Sequence, residues 1–540
     1  MIIDSFYSDI DKNNFYLGVV SQVYKNSCVT QVENLTWLNT RRINNEILTP
    51  NTINYFVVID SIQGFFIGEV FQSKMPNSES VHNALTSFKN EKIYPELSID
   101  IFGLMKNGDD TFKPIGFNAV GLTDTVYIAN SAITSKYLKS IENPRLEENY
   151  LKKKLSSFAR VANLGFLDLN LSPETLFDRH LIAVGSTNSG KSTTSLSILD
   201  KLILDEKKIL VIDPSGEYAE SFVKDKVKTL VLGSDTVLDT GEVSFSQWAT
   251  LFETNDATQP AVLSDAIKSL RFQKKNGHTS PYVKKGRDMD EVSKEMTSLT
   301  PSDTSFDISL LPSQISEEAV EADKNMKKYQ GGAFQFNNKQ WLVQKVEYKL
   351  NNALLKDFFG GNDQKFDLLQ EISSFMNGKT QSLYINASEI GVGEGIGAML
   401  IDLISNYIIN RKKKDKIAFV MFIDEVHRYS KDPRSGGFQT GLTAIAREGR
   451  KKGIFLFLTT QNPQDVSNEL LGQIGSMLVH RLTHKNELEA VRNFFTDNSF
   501  KQIPKLNQGE AIFTSINLLT DLHLIIDKCP RNHNNSTITL

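Results

Sequence analysis

At 540 residues the chain exceeds one compact unit, and at about 150 residues per domain it holds about three or four. Hydrophobic content of 40% and charged content of 23% are ordinary for a soluble globular protein, and no apolar run approaches the roughly 18 residues of a membrane span. A formal net charge of -4 does not advertise nucleic-acid binding, so any such contact must come from a local basic surface, such as a pore lined by several copies.

The start, Met1 to Phe6, has no basic segment ahead of an apolar core, and the expected location is the cytoplasm. Cys28 and Cys529 lie far apart, with no C-x-x-C and no histidine cluster. Neither a disulfide framework nor a zinc site is indicated.

In chain order, residues 1–135 carry short β-branched and aromatic runs, Phe15–Val20, Ser27–Val32, Tyr55–Ile59, Gly64–Val70, Leu97–Leu104 and Thr125–Ala129, broken by Gly, Asn and Pro turns. That pattern predicts a small β-barrel acting as scaffold or docking module. Residues 136–178 read as a linker, with a Lys-rich amphipathic patch over Tyr150–Phe158 and a turn at Ser172-Pro173-Glu174.

A strand-length apolar run, Leu181–Val184, then feeds Gly185-Ser186-Thr187-Asn188-Ser189-Gly190-Lys191-Ser192-Thr193 and a helix-compatible segment. This is a P-loop in its proper context, and it opens an α/β core of RecA-like type predicted over 179–250 and 380–528. Gly185 and Gly190 let the backbone turn successive N–H groups inward as a nest for phosphate. Lys191 places a charge on the β/γ-phosphates of ATP, and Ser192 offers a hydroxyl to Mg2+. The competing reading, a Gly/Ser turn, does not account for the flanking strand and helix.

A second buried strand, Lys208–Ile212, ends in Asp213-Pro214-Ser215-Gly216-Glu217-Tyr218. Asp213 stands where ligands bind in open α/β sheets, and equally where a turn or cap residue would stand. Residues 251–379 read as a helical insertion whose polar centre, Lys274–Gly332, is expected to be mobile. Its basic cluster Lys284-Lys285-Gly286-Arg287 is open to two readings, a nucleic-acid contact or, favoured, a solvated loop.

The sheet resumes with Gln381–Asn386, then a helix Gly395–Asn410 ending in Arg411-Lys412-Lys413-Lys414, read as an exposed cationic cap. Ile417–Ile423 is fully apolar and ends in Asp424-Glu425, the Walker B pattern. Asp424 would hold Mg2+ and Glu425 would activate the attacking water. After a loop at Ser430–Thr440 and a segment Leu442–Arg450 comes the strand Gly453–Gln461, where Gln461 is placed to sense the γ-phosphate. One of Arg447 and Arg450, just ahead of that strand, is a candidate finger for a neighbouring subunit; the alternative is a basic exposed turn. Strands at Met477–Leu482, Gly509–Thr514 and Leu522–Ile526 complete the sheet, and 529–540 reads as a loose tail. His427 and His480 lack metal-ligand spacing and read as structural.

Taken together, the order of parts resembles the HerA family of the FtsK/HerA branch of P-loop ATPases. The resemblance rests on Val184–Ser192, Ile212–Tyr218, Phe422–Tyr429, Ala446–Gly453, Thr459–Pro463 and Asp465-Val466-Ser467. It implies that the β unit is that family's HAS barrel. It further implies a homohexameric ring that hydrolyses ATP with Mg2+ and moves double-stranded DNA through its channel. The barrels would seat a partner, a nuclease of the NurA type or, in anti-phage systems, a Sir2-like NAD-consuming protein or another nuclease-like effector. This chain departs from the family at Asn462, where Ser-Gln-Arg-Pro usually has arginine. Two other outputs stay open from the residues: an ATP-switched scaffold that restrains an effector without moving DNA, and a coupling ATPase of a secretion machine, which the missing membrane anchor disfavours.

Overall fold

The computed structural model describes residues 3–7, 12–33, 35–38, 42–43, 46–47, 53–75, 83, 86–87, 94–142, 154–162, 167–222, 225–255, 258–361, 364–378, 381–390, 394–413, 417–430 and 441–531. They fall into two units, one of Met1–Asp178, Gly185–Thr194 and Gly475–Lys528, the other of Arg179–Val184, Ser195–Ile474 and Cys529–Leu540. Among the described residues no helix is long and apolar enough to cross a membrane.

The period-two alternation of the first segment produces a closed barrel. Its strands are β1 (Tyr16–Val23), β2 (Ser27–Val32), β3 (Phe56–Ser61), β4 (Gly64–Lys74), β5 (Glu96–Lys106) and β6 (Thr125–Ile128). They close in the order β1-β2-β5-β4-β3-β6 with every pairing antiparallel. Along β5 the residues Leu97, Ile99 and Ile101 are buried and alternate with less buried Glu96, Ser98 and Asp100, which is what one face turned to a core requires. Closure leaves no free sheet edge. Gly18 sits where the β1 register slips, and a Cβ there would stand 1.9 Å from the Gln31 carbonyl oxygen; only glycine allows that approach. Helix α1 (Ser131–Lys139) is capped by Asn130, which accepts from the Ile133 N–H at 3.0 Å. Its Tyr137 packs on Phe56 and Phe102 with ring centroids 5.7 and 5.3 Å apart.

The stretch read as a linker, 136–178, is built into this unit instead. It carries β7 (Ala159–Val161) and β8 (Leu167–Asp168), which pair with each other and, through β7, with the strand Leu522–Ile526. Buried Glu142 accepts from the Ser172 N–H and the Ser172 and Thr175 hydroxyls, and meets the Lys154 ammonium at 3.1 Å. These partners lie far along the chain, so the anchoring has no local sequence sign. The part of the Tyr150–Phe158 patch ahead of Lys154 lies outside the described residues.

The second unit contains a parallel sheet of β9 (Leu181–Val184), β10 (Lys208–Asp213), β11 (Val227–Val231), β12 (Ser382–Asn386), β13 (Phe419–Ile423) and β14 (Ile454–Thr460). Within this unit the order is β9-β14-β13-β10-β12-β11. Four of the six, β9, β10, β12 and β13, are buried along their whole length, the signature of strands covered on both faces. Helix α2 (Lys191–Leu204) follows the P-loop, and its buried Asp200 pairs with Arg531, whose guanidinium also donates to the Ser221 carbonyl at 3.3 Å.

Helix α3 (Phe245–Leu251) leads into the insertion, which supplies α4 (Gln259–Lys275), α5 (Met289–Thr297), α6 (Leu311–Glu317), α7 (Ala333–Leu350), α8 (Ala353–Phe359) and α9 (Leu368–Asn377). The centre expected to be mobile, Lys274–Gly332, is ordered. It holds α5, α6 and a hairpin of Val320–Ala322 with Tyr329–Gly331, and its Phe306 packs 5.5 Å from the buried Trp248 ring. The anchor is buried Glu318, which accepts from Ser269 Oγ at 2.6 Å and Gln314 Nε2 at 2.9 Å and pairs with Lys284. The basic cluster is a loop, as favoured, with Lys285 and Gly286 exposed, but two of its three cations are spent on carboxylates. Lys284 is committed to Glu318, and Arg287 forms a fork on Glu295 at 2.7 and 2.9 Å. Polar composition suggested mobility because the charges compensate one another within the segment itself, Lys284 with Glu318 at 34 positions and Arg287 with Glu295 at 8, and composition does not show pairing.

Helix α10 (Glu394–Arg411) ends in cations that are not all exposed: Lys412 is buried and donates to the Ile417 carbonyl at 2.9 Å, while Lys452 reaches back to the Ile409 carbonyl. In the first unit, β15 (Ser476–Val479), β16 (Glu510–Ser515) and β17 (Leu522–Ile526) form an antiparallel sheet with β7 and β8, in the order β8-β7-β17-β16-β15. The expected loop at 431–440 and the tail beyond Arg531 lie outside the described residues.

Candidate functional site

The phosphate loop leaves β9 and enters α2 through two left-handed residues, Asn188 at φ 61° and Gly190 at φ 110°. Asparagine and glycine tolerate that region, and the alternation turns successive N–H groups to one side. A Cβ on Gly190 would lie 3.0 Å from the Gly509 N, so the close approach adds a second reason for glycine. Ser186 donates through both N–H and Oγ to the Arg481 carbonyl, at 3.3 and 2.9 Å. Thr187, Asn188 and Thr193 are exposed, whereas Ser189 and Lys191 are buried. Ser189 Oγ is buried without a hydrogen-bond partner among the described residues, a donor that suits an incoming phosphate oxygen.

Beneath the loop stands His480, fully buried. Its Nδ1 meets the Glu510 carbonyl at 2.7 Å and its Nε2 meets Thr194 Oγ1 at 2.9 Å. A carbonyl only accepts, so Nδ1 carries the proton, Nε2 accepts and the Thr194 hydroxyl donates. Burial first, and then the nearby Lys191 charge, hold the imidazole pKa down at about 4. It is a neutral strut between the P-loop helix and β16.

In the second unit, β13 and β14 end side by side, with Ile423 paired to Leu458. Thr459 is fully buried; its hydroxyl donates to Asp424 Oδ1 and accepts the Glu425 N–H at 2.9 Å. Glu425 has φ 48°, a left-handed backbone unusual for a long side chain. Its carboxylate accepts Gln461 Nε2 at 2.7 Å, the Gln461 N–H at 3.2 Å and His427 Nδ1 at 3.2 Å. Thr460 Oγ1 lies 3.1 Å from the same His427 nitrogen. Thus three consecutive residues of one strand end, Thr459, Thr460 and Gln461, address Asp424, His427 and Glu425.

Asp213 is a turn organiser. Its oxygens accept from the Ser215 N–H and hydroxyl, the Gly216 N–H, the Tyr218 N–H and the Tyr384 hydroxyl, all within 2.8 to 3.1 Å. That loop places the Tyr218 hydroxyl 3.4 Å from Asp424 Oδ2. Burial, and then the surrounding carboxylates led by Asp424, push the Tyr218 pKa far above the usual phenol value, so it is a neutral hydroxyl facing an acid.

The two arginines stand apart from this cluster in kind. Arg447 is exposed at the end of the helix Gly441–Glu448 and pairs with Glu469; Arg450 is exposed in the 3-10 turn Gly449–Lys452. Beside them His180 bridges two elements: Nε2 donates to the Ala446 carbonyl and Nδ1 accepts the Leu456 N–H, both at 2.9 Å. Burial holds this imidazole at about 4 as well.

The sequence alone did not single out Thr194, Tyr218, Thr459 or His180 for the site, and it left His480 and His427 as structural. A histidine closing an otherwise apolar run, as in Met477–His480, was the one available sign that a buried imidazole had partners to satisfy.

Residues 161–381 match the family described as Helicase HerA, central domain, and residues 398–519 match Helicase HerA-like C-terminal. A probable helicase of Methanocaldococcus jannaschii is 22% identical over 447 residues, covering 78% of this chain and 77% of that protein. The DNA double-strand break repair helicase HerA of Sulfurisphaera tokodaii is 24% identical over 62% of each chain, so the chain spans somewhat under two thirds of that relative's length. Among solved structures, VirB4 of Thermoanaerobacter pseudethanolicus aligns with TM-score 0.47 and 14% identity over 69% of this chain and 97% of that one. The plasmid coupling protein TrwB in complex with ADP and Mg2+ aligns with TM-score 0.46 and 14% identity over 68% and 89%.

Proposed function

Because this chain belongs to the HerA family of P-loop ATPases, we propose that it hydrolyses ATP to drive double-stranded DNA through a ring of six copies. The observation that carries this reading is the Glu425 carboxylate held by Gln461 and His427 at the end of β13, next to Asp424. That arrangement supports water activation rather than nucleotide binding alone.

In this reading Lys191 and the loop Gly185–Thr193 bind the phosphates of ATP, and Ser192 and Asp424 hold Mg2+. The donor set fits, one hydroxyl and one carboxylate, both hard oxygen ligands. Bound Mg2+ offsets the charge that builds on the phosphate oxygens. Glu425 orients the attacking water and takes its proton, and Gln461 reports the γ-phosphate to that carboxylate. One of Arg447 and Arg450 reaches the nucleotide of a neighbouring copy. The barrels seat a separate effector, nuclease-like or Sir2-like, and the output is DNA processing or anti-phage defence.

The test is steady-state ATP hydrolysis by the purified chain with and without linear double-stranded DNA, with Glu425→Gln as the blank. Stimulation by DNA that disappears in Glu425→Gln is the expected result. Hydrolysis indifferent to DNA would transfer the role to an ATP-switched scaffold that governs its effector without moving DNA.

A further inference from the structure

We infer that the end of β14 is a positioning rack with two separable duties: Thr459 sets Asp424 for the divalent cation, and Thr460, through His427, sets Glu425 for water. The inference rests on the proposed ATPase reading and deepens it.

Thr459 has one hydroxyl and spends its proton and one of its two lone pairs on the acidic pair. The proton goes to Asp424 Oδ1, and a lone pair takes the Glu425 N–H. A carboxylate with one oxygen fixed by a buried hydroxyl presents the other in one orientation, and Tyr218 stands 3.4 Å from that second oxygen. Outer partners of this kind fix the geometry of a metal-binding carboxylate without touching the metal. The same Thr459 bond holds the Glu425 backbone in its left-handed turn, φ 48°, which throws the side chain toward Gln461 and His427. His427 Nδ1 serves Glu425 Oε2 at 3.2 Å and lies 3.1 Å from Thr460 Oγ1. Nδ1 must carry a proton to approach a carboxylate, so the Thr460 oxygen accepts from the same N–H and steadies the ring.

Valine at 459 is the same shape without the hydroxyl, and serine restores the hydroxyl without the methyl. The experiment is binding of a fluorescent non-hydrolysable ATP analogue to the full chain at rising Mg2+, with thermal unfolding as a control. Thr459→Val should raise half-saturating Mg2+ by about tenfold, with Thr459→Ser within about twofold of the parent and metal-free affinity unchanged. His427→Leu should leave that Mg2+ curve in place yet lower kcat by about tenfold, and His427→Asn, which keeps a donor near the Nδ1 position, should recover most of it.

Identical Mg2+ curves for Thr459→Val and the parent would overturn the metal half. Equal losses in His427→Leu and His427→Asn would overturn the water half, since a merely structural role does not distinguish a retained donor. If Thr459→Val does not fold, an Mg2+ curve for Thr459→Ser displaced as far as tenfold would itself refute the hydroxyl's role. A parent that binds the analogue without any Mg2+ dependence would instead remove the ATPase reading on which the rack depends.

Discussion

Two histidines serve the two ends of the chemistry in opposite ways. His480, below the phosphate loop, is sealed from solvent and has both nitrogens spent on neutral groups, the Glu510 carbonyl and the Thr194 hydroxyl. His427, beside Glu425, keeps 16% of its side chain exposed and places one nitrogen on a carboxylate. The first can only hold position, because charging it would strand a proton in an apolar site. The second touches the carboxylate proposed to take the proton of the attacking water. The difference teaches where rigidity is placed: the phosphate loop rests on a sealed strut, and the carboxylate proposed to activate water rests on a shared contact partly open to solvent.

The largest expected effect separates the two regions by function. Lys191→Ala should abolish nucleotide binding, whereas Glu425→Gln should bind ATP and lose turnover by roughly 10²-fold or more, measured by nucleotide binding and steady-state hydrolysis. If Glu425→Gln turned over like the parent, the assignment of the base would be wrong. Next in size is His480→Leu, which leaves a buried hydroxyl and a buried carbonyl without partners and should cost about 2–4 kcal/mol in urea unfolding. An unchanged midpoint would sink the strut.

A smaller effect appears with acid. His480 and His180 titrate near 4 when folded, against about 6.5 when unfolded. Between those values the unfolded chain binds the protons that the folded chain refuses, so stability falls as pH drops from about 6.5 to about 4 and levels off below. Each histidine contributes up to about 3 kcal/mol of that loss. Unfolding curves across this window should be shallower in His480→Leu, because one of the two buried imidazoles is gone.

Much of the architecture was legible because it is local. The barrel strands alternate with period two, the parallel strands are continuous apolar runs, and the strand-loop-helix at Leu181–Leu204 carries its own turn chemistry in Gly185 and Gly190. The α/β class with an N-terminal barrel was read correctly from those signals. Illegible features are those whose partners are remote: Thr194 meets His480 across 286 positions and Tyr218 meets Asp424 across 206. Lys284 and Glu318 show the same limit at 34 positions, where composition pointed to a mobile segment and pairing produced an ordered one. The strand ends bearing Glu425 and Gln461 were placed by pattern, but the Thr459 hydroxyl between Asp424 and the Glu425 backbone required coordinates.

The Asp200–Arg531 pair sets a timetable as well as a contact. Asp200 is on the helix that follows the phosphate loop, and its guanidinium partner is 331 positions later. At about 5–20 residues per second of synthesis, that interval is roughly 17–66 s. Until Arg531 is made Asp200 has no guanidinium to meet, so the helix cannot reach its finished packing, with that carboxylate buried and paired, before the last part of the chain is complete. A chaperone or an early ligand would matter most in that window, and a variant such as Asp200→Asn would shorten the wait at the expense of the finished pair.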